Sequence, residues 1–116
     1  MLEIPLEAAP NQEFLVTLDN QDCTIAVYQR GANVYLDLSA GNTLVRQGAA
    51  CLPRVSILGD AAGFSGRLYI TDERSQPAEQ QPPQWEGLGA RWRLYWLTPD
   101  EAAALDEAKE AEARNG

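Results

Sequence analysis

Between residues 13 and 50 apolar and polar side chains alternate with a period of two, and turn-forming residues interrupt them about every ten positions. A period of two puts successive side chains on opposite faces, which is the mark of a half-buried strand. Phe14, Val16 and Leu18 make one inward side, and Cys23, Ile25 and Val27 the next. The residues between them, 19–22, read as a short hairpin loop, so the span 14–30 is expected to be a β-hairpin. Gly31-Ala32-Asn33 turns the chain again, and Val34, Leu36 and Leu38 line a third strand. Ala40-Gly41-Asn42 turns it once more, and a Gly-Asn pair tolerates the positive φ that hairpin turns demand. Residues 43–50 alternate more weakly and complete a four-strand meander. Leu15 stands out as an apolar residue on an otherwise polar side.

The other strongly patterned stretch is WEGLGARWRLYWL, residues 85–97, which holds all three tryptophans. Gly87-Leu88-Gly89 signals a turn. A period-two strand follows, with Ala90, Trp92, Leu94 and Trp96 on one side and Arg91, Arg93 and Tyr95 on the other. Large aromatic side chains dominate burial, so Trp92 and Trp96 are expected in the core. Trp85, just before the turn, is the candidate anchor for a partner.

The rest of the chain is less regular. Residues 1–7 alternate weakly, and Pro5 lacks a backbone donor, so an edge strand or extended arm is expected there. Residues 55–58 read as a short buried strand. Residues 63–71 read as another, with Phe64, Leu68 and Ile70 facing one way and Gly66 marking a bulge or a close backbone approach. DERSQPAEQQPPQ, residues 72–84, has no apolar period and reads as an exposed, flexible loop. After the aromatic strand, Thr98, Pro99 and Glu101 form a helix-start pattern with a capping box. The expected domain plan is a β domain over 1–97 and an acidic helical tail over 98–116. The expected fold class is all-β: a small antiparallel β-barrel or sandwich of about seven strands with a short C-terminal helix.

Charge and residue inventory narrow the chemistry. The chain has 17 acidic and nine basic residues and a formal charge of −8. Sequence-blind nucleic-acid binding needs a positive surface that this chain lacks, and no sequence-specific nucleic-acid partner is expected. No apolar run approaches the ~20 residues of a membrane span, and MLEIPLEAAP lacks a basic region and an apolar core, so no membrane partner and no secretory signal are expected. There is no histidine, which removes histidine triads and bases. The acid pairs Asp72-Glu73, Asp100-Glu101 and Asp106-Glu107 are sequence neighbours that do not converge on a strand or a helix. Cys23 and Cys51 read as buried reduced thiols, with a disulfide as the alternative; without histidine they make no zinc set. No catalytic residue, cofactor or metal is expected.

Four pieces in order carry a family resemblance: MLEIPLEAAPNQEFLVTLD, NVYLDLSAGNTLV, LPRVSILGDAAGFSGRLYITD and WEGLGARWRLYWL. Together, over about residues 1–97, they resemble the cyanophage-type baseplate plug family of contractile-tailed bacteriophages. The resemblance implies a structural virion protein without catalytic activity, located in the tail baseplate after assembly in the host cytoplasm. It implies as partners the baseplate hub, the tail tube and copies of the chain itself in a ring. The edges 1–7 and 90–97 are then expected to abut neighbouring subunits. The candidate interface residues are Ile4, Leu6, Trp85, Leu88, Arg91, Arg93 and Tyr95, since arginine and aromatics are enriched at protein contacts. The competing expectation is a small-molecule-binding β-barrel with Trp92, Trp96 and Phe64 lining an internal cavity.

Overall fold

A computed structural model describes residues 2–53, 56–57, 66–74 and 80–105. Among them, seven strands form two antiparallel sheets. The strands are β1 (Leu2–Ile4), β2 (Asn11–Leu18), β3 (Gln21–Arg30), β4 (Asn33–Ala40), β5 (Thr43–Ala50), β6 (Arg67–Asp72) and β7 (Trp92–Leu97). The meander β2-β3-β4-β5 is the four-stranded sheet, and β1-β7-β6 is the three-stranded one.

The meander follows its alternation closely. Leu18, Cys23, Ile25, Val27, Val34, Leu36 and Leu38 are all buried, while Phe14 and Val16, on the outermost strand, are half-buried against the same cluster. The β2–β3 turn is Asp19-Asn20, with φ of 52° and 59°. Two consecutive left-handed residues make the mirror-image turn whose twist suits a two-residue hairpin, and Asp and Asn tolerate it better than most. The weaker alternation of β5 has a local cause: the β4–β5 register shifts around Leu38. There the Asp37 carboxylate accepts hydrogen bonds from the Gly48 N–H (2.7 Å) and the Tyr28 hydroxyl (2.9 Å), which holds the bulged backbone in place.

The three-stranded sheet joins distant parts of the chain. Ile4 pairs with Leu94 from one side and Ile70 pairs with it from the other. Strand β7 is therefore the middle strand. The expectation that 90–97 forms an open edge is corrected, because both its backbone sides are taken by β1 and β6. Gly66 makes the close approach its position suggested: a Cβ there would meet the Leu97 carbonyl oxygen and the Trp96 ring.

Ile4, Leu68, Ile70, Trp92, Leu94 and Trp96 from the small sheet join the meander's inward residues in one hydrophobic cluster. The sheets do not close into a barrel; of the two expected layouts the chain adopts the open two-sheet one. Ile57 is buried and donates its N–H to the Leu68 carbonyl at 2.9 Å, beside β6. The remainder of the strand expected at 55–58, and Phe64, lie outside the described residues. A short helix at 99–105 follows β7. Its capping box is formed: the Glu101 N–H donates to Thr98 Oγ1 (3.3 Å) and the Thr98 N–H to Glu101 Oε1 (3.0 Å). The continuation of the acidic tail, 106–116, lies outside the described residues.

Candidate interface

Two networks fix the aromatic segment. The first is built on Asp72, at the end of β6, whose side chain is fully buried. Arg91 Nε donates to Oδ1 at 2.9 Å and its terminal nitrogen to Oδ2 at 2.8 Å, a bidentate pair. The same carboxylate accepts the Arg74 N–H (3.2 Å) and the Gln81 N–H (2.8 Å), so one side chain gathers both described ends of the 74–81 loop. The Arg91 guanidinium holds the Asp72 carboxyl well below the usual carboxylate range; burial opposes this, and the Gln81 and Arg74 N–H groups reinforce it. Arg91 also lies 4.5 Å over the Trp92 ring, while Trp92 Nε1 donates to the Gln81 carbonyl at 3.1 Å.

The second network ties the segment to the other sheet. Gln29, on β3, accepts the Trp85 N–H at 2.9 Å and donates to the Gln84 side chain at 2.8 Å. Gln84 in turn donates to the Ala32 carbonyl at 2.8 Å. Pro83 is fully buried. Of the described residues of the 72–84 stretch, Glu73, Arg74, Gln81 and Pro82 are exposed, whereas Asp72 and Pro83 are buried and hold its two ends to the domain. Trp85–Gly87 forms a 3-10 turn, and Gly89, at φ 85°, sits where a Cβ would strike the Leu6 carbonyl oxygen. The turn glycines thus let the N-terminal arm, the turn and β7 approach closely.

This geometry separates the seven candidate residues. Ile4 and Leu88 are buried within the chain's own core. Leu6 and Trp85 are half-buried and pack on its margin. Arg91, expected to share a face with Arg93 and Tyr95, is instead drawn to Asp72, with 25% of its side chain exposed. Arg93 and Tyr95 remain together on the outward face of the small sheet. There Arg93 pairs with Glu3 at 3.5 Å, each side chain 41% exposed, and Tyr95 sits between Glu3 and Tyr69 in register. A surface ion pair of this kind contributes ~1 kcal/mol at most, so it leaves Arg93 available for exchange of partners.

Asp72, which the sequence showed only as one of three adjacent acid pairs, is buried and paired with Arg91, the residue just before β7. Leu15, the apolar residue on the polar side of its strand, is 82% exposed, and Leu44 on β5 is 54% exposed. An open concavity of about 580 Å³ lies on the outward side of the meander, among Tyr28, Gln29, Arg30, Asp37, Gln47 and Gly48. Burial, then the Asp37 carboxylate, pushes the Tyr28 hydroxyl upward in pKa. Trp92 and Trp96 are away from this hollow, packed in the core. These two of the three residues expected to line a ligand cavity are therefore used for packing. Cys23 and Cys51 are free buried thiols, and burial pushes Cys51 up to about 12.

The described residues thus make an all-β domain of two small sheets, with its aromatic strand clamped by its own loops and an outward strip of Arg93, Tyr95 and Glu3. The family model described as "Cyanophage baseplate Pam3 plug gp18" matches residues 1–100, and the chain belongs to that family of bacteriophage baseplate plug proteins. The match spans all seven described strands and ends inside the helix start. No curated protein matches the chain.

Proposed function

We propose that the chain is a non-catalytic plug component of a contractile-tail baseplate, assembled in the host cytoplasm, which packs against hub and tail tube proteins and against copies of itself in a ring. The family membership carries this reading. The contact surface centres on the outward strip of Arg93 and Tyr95, with the half-buried Trp85 and Leu6 adding their exposed parts. Ile4, Leu88 and Arg91 support that strip from within. The domain boundary falls near residue 98, and the acidic tail, 98–116, seats on a neighbouring subunit. An anionic surface also suits a position next to DNA in a tail lumen, because it repels the phosphate backbone.

Sedimentation of the purified chain, alone and mixed with tube and hub proteins, tests the reading. A defined multi-protein particle that forms only on mixing supports it. Arg93→Ala together with Tyr95→Ala should then weaken incorporation at least about tenfold, since arginine and tyrosine rank among the residues that dominate contacts. Indifference of the chain to both proteins would remove the proposal.

A further inference from the structure

Two sheets of this kind present four edges, and three of them are protected among the described residues. Strand β1 is three residues long and is followed by Pro5. The open side of β6 is met by the Ile57 N–H and by a bridge between Pro53 and Ile70. Strand β5 is bent by its bulge, which Asp37 holds through Gly48. Short strands, coverage and bulges are the ordinary ways of blunting an edge.

Among the described residues, strand β2 has none of these devices. It runs for eight residues, pairs with β3 without a register break and contains no proline or lysine. Its backbone direction is known at both ends. Leu18 faces Gln21 across the two-residue turn, and the Gln29 N–H donates to the Pro10 carbonyl. Hydrogen-bonded and non-hydrogen-bonded pairs alternate along an antiparallel ladder. Gln12, Phe14, Val16 and Leu18 therefore bond to β3, while Asn11, Glu13, Leu15 and Thr17 point their N–H and C=O groups away from the sheet. Those four residues are exposed, and Leu15, at their centre, is 82% exposed.

We propose that β2 is a self-pairing edge: two copies of the chain add their β2 strands antiparallel about a two-fold axis at Leu15, joining two four-stranded sheets into one. The strand is self-complementary in that register. Leu15 lies opposite the partner's Leu15, Phe14 opposite the partner's Val16, and Glu13 opposite the partner's Thr17. At the centre apolar meets apolar on both faces, the half-buried Phe14 and Val16 at the core margin are covered, and no like charges face each other. The adjacent register, centred on Phe14, would set each Leu15 against the partner's Glu13. Glu13 is the only charge on β2, so the chain's acidity does not concentrate at this edge. A two-fold contact of one patch with itself is the commonest closed association. This pairing is a property of the isolated chain, and its failure is separable from failure of the baseplate reading.

The test uses the full chain without other proteins. Sedimentation velocity over a concentration series should show a monomer–dimer equilibrium. Leu15→Lys, at a site too exposed to disturb the fold, should weaken dimerisation by about tenfold or more, because two ammonium groups then face each other. Leu44→Lys, on the bulged edge, should leave it unchanged. Leu15→Cys should form an inter-chain disulfide on mild oxidation, because facing hydrogen-bonded residues lie ~5.5 Å apart at Cα, within disulfide reach. Cys23 and Cys51 are buried and should not compete. A chain monomeric at all concentrations, a dimer indifferent to Leu15→Lys, or a dimer that Leu15→Cys fails to cross-link would overturn the proposal.

Discussion

Asp72 shows how much one buried carboxylate can organise. It faces Trp92 across the ladder, on the core side of β6, where an uncompensated charge would be costly. Arg91 and two backbone N–H groups satisfy it. Asp72→Asn should remove the charge-assisted pair and destabilise the domain by about 2–3 kcal/mol, less than a fully buried pair because Arg91 is partly exposed. The pH dependence follows from the direction of the shift. The folded carboxyl titrates below its unfolded value, so below about pH 4 the unfolded chain binds the extra proton. The stabilisation is complete above the unfolded value and declines as pH falls toward the folded one. Urea denaturation from pH 7 to pH 2 should show that decline, and Asp72→Asn should flatten it. An unchanged acid profile in the variant would mean that the clamp contributes little.

At the scale of elements, β7 depends on what lies on either side of it. Its inward triad of Trp92, Leu94 and Trp96 was legible from alternation, since a strand's faces follow from its own sequence. Its place between β1 and β6 was not, because pairing of residues 2–4 with 94–96 is set by chain path rather than local pattern. The same distinction applies to Gly66. The sequence suggested a bulge or a close approach, and the fold makes it a close approach to backbone and to Trp96. Gly66→Ala should cost about 2–4 kcal/mol, in the range of overpacked or strained core sites, because a carbonyl oxygen cannot yield as a flexible side chain can. Thermal unfolding followed by tryptophan fluorescence would measure it; a melting temperature within a degree of the parent chain would contradict the close approach.

For the whole molecule, the division between core and contact surface decides what is left for partners. Hydrogen exchange on the chain, free and in a complex with tube and hub proteins, should separate the parts. Amides of the meander core should be protected in both states, whereas those of 98–116 and the exposed face around Arg93 should slow on assembly. If tail amides exchange equally fast in both states, the proposal that the tail seats on a neighbour fails. Taken alone, the sequence determined the all-β class, the four-strand meander with its turns, the inward residues of β3, β4 and β7, and the capping box at Thr98. Each of these depends on interactions a few residues apart, which periodicity and turn chemistry report directly. Only the tertiary structure decided that the sheets stay open, that β7 is central, that Arg91 leaves the Arg93–Tyr95 face for Asp72, and that β2 is the edge left uncovered among the described residues. Those features depend on which distant segments meet, and alternation tells which side of a strand faces inward without telling what it will face.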